Sequence, residues 1–514
     1  MSRPYEPQDE IRVAIVGAGI VGLVLAVTLN TFDIERKISI DIYEASAELS
    51  EIGAGINIWP RTWRIFQEIG PGLGDMIKPF FDHPPDLKLR PIFEVRKADQ
   101  KDGFKVTDIK ARGASASLTD HETFSSLLSI KVGHSVSTEQ TFNALFLSIS
   151  LSPLIPIAPL PKNSRCALHL SHRLIDYVES KQGPVTLHFS DQPPRTCDIL
   201  IGADGIKSTV RKIFLSRLPN SERYTRCMDP VWSGAIAYRG LVKREELESV
   251  YPGHRALGHP GLMYFGKNKH TVVYPISGGK FINVVAAIHN WSKEGTEWDG
   301  NRPLNEEVPQ QEFLKHFESW EDEYKVLISC IKQPTRWALQ RMNHLDTFAR
   351  GKVFLMGDSV CRSIEPSGYL SRFADHRLTR KAHAMVPYQG AGAAVGIDDA
   401  YIFACLLTHP STPRTLSPQC TANLAEAYNR TCVPRAHHFS KLSTFQGQLN
   451  TLRTPECDVY RENDGSVPRE ILLDVFRQAE RNWCWTVSDV REDRRKAEGI
   501  LRKLVNGKEV MARL

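Results

Sequence analysis

Residues 11–22 read IRVAIVGAGIVG, and this stretch decides the fold. A run of β-branched residues leads into Gly17, Gly19 and Gly22, and the next residues, LVLAVTLNTF, have the apolar spacing of a helix. Gly17 permits a tight turn, Gly19 lets the backbone approach a pyrophosphate, and Gly22 lets the helix pack on the strand. The helix N-terminus also offers free amides and a positive dipole to phosphates. The sequence therefore predicts a strand, turn and helix that bind a dinucleotide.

A carboxylate follows the next predicted strand. The segment ISIDIYEA contains Glu44, which lies 22 residues after Gly22. An acid at this place can accept hydrogen bonds from both hydroxyls of a ribose, and it disfavours a ribose that carries a 2′-phosphate. The spacing therefore favours FAD or NAD over NADP. A glycine-rich turn in an unrelated α/β protein is the alternative.

Another sharp turn, which we call the third turn, lies near the middle of the chain. Residues 197–211, CDILIGADGIKSTVR, combine a buried strand, a turn at residues 203–205 and a short basic helix. Asp204 and Gly205 are candidates for nucleotide contacts, although Asp-Gly is also common in ordinary turns. Arg211 is either a further contact or a solvated helix residue.

The remaining motif, whose turn we call the second turn, is split into two pieces. KVFLMGDS ends at Ser359, AHAMVPYQGAGAAVGIDDA begins at Ala382, and the 22 residues Val360–Lys381 separate them. The inserted residues have no clear periodicity, which is typical of a loop. Because the ends of the insertion can be encoded with the splice signals of a short intron, we predict a retained intron in the coding sequence. A natural loop insertion is the alternative.

The composition restricts the class of protein. The chain has 514 residues, of which 41% are hydrophobic and 24% charged, and its net charge is +6. Its basic residues are interleaved with acids, so nucleic-acid binding is not indicated. The ten cysteines are scattered without metal-ligand or disulfide spacing. The polar N-terminus and the broken apolar run at residues 145–160 predict neither a secretion signal nor a membrane span, and we expect a cytoplasmic protein.

Together the motifs resemble the single-component FAD-dependent aromatic hydroxylases of the salicylate hydroxylase type. The split pieces join into GDSAHAMVPYQGAGAAVGIDDA, which is similar to the second flavin motif of that family, and the similarity runs from Ile11 to about Thr451. One small departure is Arg61, where the family usually has Asn. The resemblance implies that FAD contacts Gly17, Gly19, Gly22, Glu44, Gly55, Asp204, Gly205, Arg211, Gly357, Asp358, Pro387, Gly390 and Gly392.

Candidate catalytic residues come from two segments. Tyr238 and Arg239 lie in PVWSGAIAYRGL, whose alternating pattern predicts a strand. A phenol beside a guanidinium could hold an aromatic carboxylate or phenolate in a fork. His383 and Tyr388 follow the insertion and are candidate bases for a phenolic substrate. The alternatives are an edge-strand tyrosine with a surface arginine, and a packing histidine at His383.

The resemblance implies a particular reaction. NAD(P)H would reduce FAD, and dioxygen would form a flavin hydroperoxide that hydroxylates a phenolic or aromatic acid. A flavin oxidase or dehydrogenase is one alternative. A chain that binds FAD poorly because of residues 360–381 is another. We expect a small aromatic substrate and dioxygen as partners, no nucleic acid or membrane, and a monomer or homodimer.

The predicted fold is α/β, with a Rossmann-like FAD-binding domain, an interleaved β-sheet substrate domain and a helical C-terminal tail. We place the FAD-binding domain at residues 1–220 and 335–410, with atypical stretches at about 132–159 and 360–381. The β-rich substrate domain occupies residues 221–334, and the helical region occupies residues 411–514.

Overall fold

The computed structural model of the chain describes residues 10–35, 37–49, 57–70, 88–112, 116–117, 166–180, 183–276, 278–299, 302–343, 345–360 and 387–511. Gly55, His383, the atypical stretch 132–159 and the insertion after Val360 lie outside the described residues.

Nineteen strands and ten α-helices are present in these ranges. The strands are β1 Ile11–Val16, β2 Ile38–Tyr43, β3 Asn57–Ile58, β4 Leu89–Lys97, β5 Phe104–Arg112, β6 Ala116–Ser117, β7 Cys166–His169, β8 Leu174–Glu179, β9 Val185–Phe189, β10 Arg195–Cys197, β11 Ile199–Gly202, β12 Val231–Lys243, β13 Leu262–Gly266, β14 Lys269–Ile276, β15 Phe281–His289, β16 Asn305–Glu307, β17 Thr335–Arg341, β18 Ala349–Arg350 and β19 Val353–Leu355. The helices are α1 Ile20–Phe32, α2 Pro60–Ile69, α3 Thr209–Ser216, α4 Arg244–Val250, α5 Gln310–Lys315, α6 Asp322–Ser329, α7 Gly392–Leu407, α8 Pro418–Asn450, α9 Arg469–Arg481 and α10 Val490–Met511.

A six-stranded sheet forms the part of the molecule that carries the turn at Gly17–Gly22. We call this part the nucleotide end. Its order is β18-β19-β11-β1-β2-β7, and all pairs are parallel except β18 with β19. The central strands are almost wholly apolar and buried, as expected for a parallel sheet covered by helices. Residues of α1, α3, α7 and α8 share one hydrophobic core with this sheet. The predicted Rossmann-like α/β fold is therefore confirmed.

An eight-stranded sheet lies beside it, in the order β16-β17-β12-β15-β14-β13-β4-β5. Every pair is antiparallel except β13 with β4. The outer face of this sheet packs under α5 and α6, through the aromatic residues Phe313, Phe317, Trp320 and Tyr324. The inner face packs against the region around Trp59 and the start of α7, together with the C-terminal helices. The sheet thus covers the nucleotide end.

Three strands that the predicted boundaries assign to the FAD-binding domain belong to the eight-stranded sheet instead. Strands β4 and β5, assigned to the FAD-binding segment 1–220, pair into the eight-stranded sheet, and so does β17 at the start of segment 335–410. The boundaries followed the order of motifs along the chain, whereas β4 reaches this sheet by a parallel pairing with β13, from a distant part of the sequence. The chain therefore crosses between the two sheets more often than predicted.

The C-terminal region is helical, as predicted. Helix α8 spans 33 residues, and α10 packs against α7 and α8. Val490, Ala497 and Leu501 of α10 are buried in the main core. In the described parts of the chain, no helix combines the length and the apolar character that crossing a bilayer requires.

Candidate active site

The first and third turns meet at the carboxyl ends of β1 and β11. The amide of Ala203 donates to the carbonyl of Val16 at 2.8 Å. Gly17 has a φ of +106°, and a Cβ there would lie 2.4 Å from the carbonyl oxygen of Ala203. Only glycine fits such a place, because the conformation is left-handed and the two backbones touch. These two turns therefore form one surface, as parallel strand ends in an α/β sheet do.

The second turn joins them through a side chain of the first helix. A Cβ on Gly357 would lie 2.9 Å from Cγ2 of Val21, and a Cβ on Gly396 would lie 2.4 Å from the same atom. Val21 is the second residue of α1, and Gly396 is the fifth residue of α7. The missing side chains let the two helices begin next to each other, so that their N-termini serve one site.

The space in front of the first turn fits a dinucleotide. A Cβ on Gly19 would meet nothing within 4 Å, and no side chain caps the start of α1. Glu44 accepts from the amides of Ala18 at 3.0 Å and Ser46 at 2.9 Å. These bonds fix the carboxylate while leaving lone pairs for ribose hydroxyls. Open backbone, free helix amides and an anchored acid are the groups that a pyrophosphate and a ribose require.

The third turn is tied together by its own acid. Asp204 accepts from the hydroxyl of Ser208 and from the amides of Thr209 at 2.7 Å and Val210 at 3.1 Å. Burial raises the pKa of the Asp204 carboxyl, and the hydrogen bonds oppose this shift. Asp204 therefore caps α3, and its predicted contact with the cofactor stays a prediction. A Cβ on the neighbouring Gly205 would meet nothing within 4 Å, so this turn also faces open space.

Arg211 connects the third turn to the second. Its guanidinium is fully buried and donates to the carbonyl oxygens of Ile206 at 2.6 Å, Met228 at 3.1 Å and Ser359 at 3.2 Å. It is therefore not the solvated helix residue that the sequence allowed. The contact with FAD stays a prediction, because the bonds in the structure join backbone segments of this chain.

The two pieces of the split motif are adjacent in space. Gly357 has a φ of +62°, and its amide donates to Asp399 Oδ2 at 3.3 Å. A Cβ on Gly392 would lie 3.9 Å from Oδ1 of Asp358, whose side chain is exposed at this turn. Pro387–Gln389 form a short 3-10 helix just before α7, and Gly390 has a φ of +56°. The insertion therefore leaves the two pieces of the motif in contact.

Tyr238 and Arg239 point to opposite faces of the eight-stranded sheet. The Tyr238 hydroxyl donates to Glu312 at 2.9 Å, and its ring stacks on Phe313 under α5. Arg239 lies over the ring of Trp337, with its Cζ 5.2 Å from the ring centroid. Successive side chains of a strand alternate between faces, so these two cannot hold one carboxylate. The predicted fork is not formed.

Tyr388 instead lies against two histidines of the inner face. Its hydroxyl is 3.0 Å from Nε2 of His289, and its ring makes an edge contact with His270, at 5.2 Å between centroids. Burial holds the pKa of His289 well below its ordinary value, and it lowers the pKa of His270 to about 3. Burial also raises the pKa of Tyr388. At neutral pH the group is therefore an uncharged phenol bonded to a neutral imidazole.

An open cleft adjoins this group. It is small and partly open to solvent, and it is lined by Ser233, His289, Trp291, Glu294, Arg341, Tyr388 and Thr444. The Trp291 ring stacks on His289 at 4.7 Å, and Arg341 Nε lies 3.9 Å from Glu294. His289 and Arg341 are not among the site residues predicted from the sequence. Alternation along a strand separates its two faces, but the sequence pattern does not say which face meets the nucleotide end.

The fold and the site define an α/β protein in which three nucleotide-type turns converge beneath a largely antiparallel, eight-stranded sheet. A salicylate hydroxylase from Pseudomonas putida is 30% identical over 449 residues, which are 87% of this chain and 87% of the relative. An FAD-dependent monooxygenase from Strobilurus tenacellus is 26% identical over 513 residues, 96% of this chain and 99% of the relative. The solved structure of a salicylate hydroxylase substrate complex has a TM-score of 0.68 and 26% identity, and covers 95% of this chain and 98% of that one. No family model matches the chain.

The chain therefore belongs to the salicylate hydroxylase-like family of FAD-dependent monooxygenases. It is an enzyme, and FAD is its cofactor.

Proposed function

We propose that the enzyme hydroxylates the ring of a phenolic or aromatic acid, with NAD(P)H as reductant and dioxygen as the source of the oxygen atom. The observation that carries this proposal is the convergence of the three turns beneath the sheet face that bears His289, against which Tyr388 packs. FAD, when bound, supplies the electron transfer from the nicotinamide nucleotide and the activation of dioxygen. The polypeptide supplies binding, orientation and proton control.

Each turn has groups suited to one part of FAD. Gly17, Gly19 and the first amides of α1 would hold the pyrophosphate, and Glu44 would hold the adenosine ribose. Asp358 would bind the ribityl chain, because its exposed carboxylate lies beside the start of α7. The backbone at Gly390–Gly392 would lie beneath the ring system. The fit of open glycines and anchored acids supports this arrangement.

The cleft has the chemistry of an aromatic-acid site. Arg341 offers a planar guanidinium, which suits a carboxylate. Trp291 and Tyr388 offer apolar ring surface that would contact the substrate ring and keep water away. Glu294 lies beside Arg341, so it balances the charge of that arginine when no anion is bound. A salicylate-like molecule has the ring, hydroxyl and carboxylate that match these groups.

Tyr388 and His289 would together accept the proton of the substrate hydroxyl. A neutral imidazole can accept the tyrosine proton, so the Tyr388 oxygen can in turn accept a proton from a substrate hydroxyl. A phenolate ring is richer in electrons than a phenol ring, which favours attack on an electrophilic oxygen. Burial opposes charge on either residue, so the imidazolium would form together with the substrate phenolate, as an ion pair rather than as an isolated charge.

Purified enzyme tests the proposal directly. We expect a yellow protein that oxidises NADH or NADPH faster when salicylate or a related phenolic acid is present, with one hydroxylated product formed for each dioxygen consumed. Tyr388→Phe should lower kcat about 100-fold with FAD still bound. Tyr238→Phe, which removes a hydroxyl from the outer face, is the matched control and should keep its turnover. Dioxygen consumption that yields only hydrogen peroxide for every phenolic acid tried would instead indicate a flavin oxidase.

A further inference from the structure

Five charged side chains from four helices meet beside the second flavin turn. They are Arg61 of α2, Asp398 and Asp399 of α7, Arg435 of α8 and Asp493 of α10, and we call them the charge cluster. All except Asp493 are less than 9% exposed, and the Asp493 side chain is 30% exposed. Charges of this kind are rarely buried unless they are paired, so the pairing pattern indicates what the cluster does.

Asp399 links the charge cluster to the flavin turn. Its Oδ1 accepts from Nη2 of Arg435 at 2.7 Å, and its Oδ2 accepts from the amide of Gly357 at 3.3 Å. The next residue is Asp358, the proposed ligand of the ribityl chain. Because Gly357 has a left-handed conformation, the orientation of its amide sets the direction in which Asp358 leaves the turn. The Asp399 side chain is fully buried.

Asp493 links the same cluster to the C-terminal helix. Its Oδ2 lies 2.5 Å from Nη2 of Arg61 and 3.8 Å from Nη1 of Arg435. Arg61 also donates to Asp398 at 2.9 Å through Nε and to the Ser488 hydroxyl at 2.9 Å. Arg61 is the residue that departs from the resemblance, and the structure gives it acidic partners from both α7 and α10. The cluster therefore joins the C-terminal helix to the flavin turn through ion pairs that end in the hydrogen bond between the Gly357 amide and Asp399.

The cluster has three acids and two arginines. If Asp493 is neutralised, Arg61 and Arg435 have only Asp398 and Asp399 left as charged partners. A buried arginine that loses an acid is drawn to the remaining ones. A shift of Asp399 toward the arginines would weaken its bond with Gly357. Loss of the Asp493 charge would thus alter the position of the second turn, although Asp493 itself does not contact the cofactor.

We propose that Asp399, Arg435 and Asp493 are positioning residues for FAD, and that helix α10 sets the flavin affinity through the charge cluster. This inference rests on the proposed placement of the ribityl chain at Asp358. It assigns the C-terminal helix a part in cofactor binding, although no residue of that helix belongs to a flavin motif.

The test is a titration of apoenzyme with FAD, in which the quenching of flavin fluorescence reports binding. Asp493→Asn should raise the Kd for FAD about tenfold, whereas Glu492→Gln, the same charge change at the adjacent exposed position of α10, should not. Asp399→Asn should have a larger effect but is buried and could impair folding. Asp493 is therefore the primary site, and far-UV thermal unfolding of each apoenzyme checks the fold.

Charge compensation separates positioning from simple loss of packing. The double variant Arg61→Asn with Asp493→Asn removes one charge of each sign, and so restores the excess of one acid over the arginines. It should bind FAD more tightly than Asp493→Asn alone, although it has lost more contacts. Equal affinity of Asp493→Asn and Glu492→Gln for FAD would overturn the inference, and so would a double variant that binds FAD no more tightly than Asp493→Asn. Asp358→Ala with full FAD binding would instead refute the placement of the cofactor.

Discussion

The first and second flavin turns reach similar shapes by different means. The first, at Gly17–Gly22, is continuous in sequence, and its shape follows from its glycines, since a Cβ on Gly22 would lie 2.1 Å from the carbonyl oxygen of Gly17. The second comes from two pieces separated by an insertion, and a buried acid, Asp399, bonds to its backbone. Local sequence is sufficient for the first turn, whereas the second depends on the surrounding structure.

The difference explains how an insertion of 22 residues is compatible with an assembled site. Strand β19 pairs with β11, and Ser359 donates to the carbonyl of Gly202 at 2.6 Å, which fixes the piece before the insertion. The packing of α7 on α1 fixes the piece after it. Neither of these two sets of contacts involves the inserted residues. Long insertions in loops cost little free energy when both ends are held in this way.

The largest expected effect is at the first turn. Gly22→Ala places a Cβ against the Gly17 carbonyl, so we expect loss of bound FAD and a free energy of unfolding lower by about 3 kcal/mol. Gly19→Ala is the matched change, because a Cβ there meets no atom of the protein. It should fold normally and bind FAD weakly. The flavin absorbance of each purified variant and its thermal unfolding measure both quantities. If Gly22→Ala were as stable as the parent and fully yellow, glycine packing would not determine this turn.

The next effect is at the acid of the second turn. Asp358→Ala should weaken FAD binding about 10- to 100-fold, because a charge-assisted hydrogen bond to the ribityl chain is lost. The exposed position predicts little change in stability. Asp358→Asn should keep part of the affinity, since an amide oxygen still accepts a hydrogen bond. Equilibrium dialysis gives the Kd, and an unchanged flavin content of Asp358→Ala would contradict the assignment of this residue.

A moderate effect is expected from removing the insertion. Deletion of residues 360–381 joins Ser359 to Ala382, and the shorter connection should raise the free energy of unfolding by about 1 to 2 kcal/mol, with FAD still bound. Chemical denaturation of the two holoenzymes compares them. A deletion variant without flavin would show that the inserted residues belong to the site.

The origin of the insertion has a separate test. Spliced transcript reads that lack the codons for residues 360–381 would support a retained intron. Transcripts that all contain those codons would instead support a natural loop.

The smallest effect is expected at Glu44. Glu44→Gln keeps an oxygen that can accept from the Ala18 amide, but it removes the charge that strengthens the ribose hydrogen bonds. We expect FAD binding to weaken about threefold to tenfold, with no change in the thermal midpoint. Titration of the apoenzyme with FAD measures the Kd of this variant. A loss of affinity as large as that of Asp358→Ala would mean that the first turn depends on side-chain charge as much as the second does.

Part of the site was predictable because its signals are local. The strand, turn and helix at Ile11–Gly22, Glu44 after the second strand and the turn at Asp204 are read from consecutive residues with known conformational preferences. The faces of the larger sheet were not predictable in the same way. Alternation shows that Tyr238 and Arg239 point in opposite directions, but it does not show which face meets the nucleotide end.

The sequence by itself determined the α/β class and the places of the three turns, because glycine conformation and strand periodicity act over a few residues. The FAD cofactor followed from the resemblance of the turn motifs to a known family. Only the tertiary structure decided that Tyr388 pairs with His289, that Arg61 and Asp493 meet, and that the split motif is assembled. These contacts join residues far apart in the chain, and they depend on burial and charge pairing that no local pattern records.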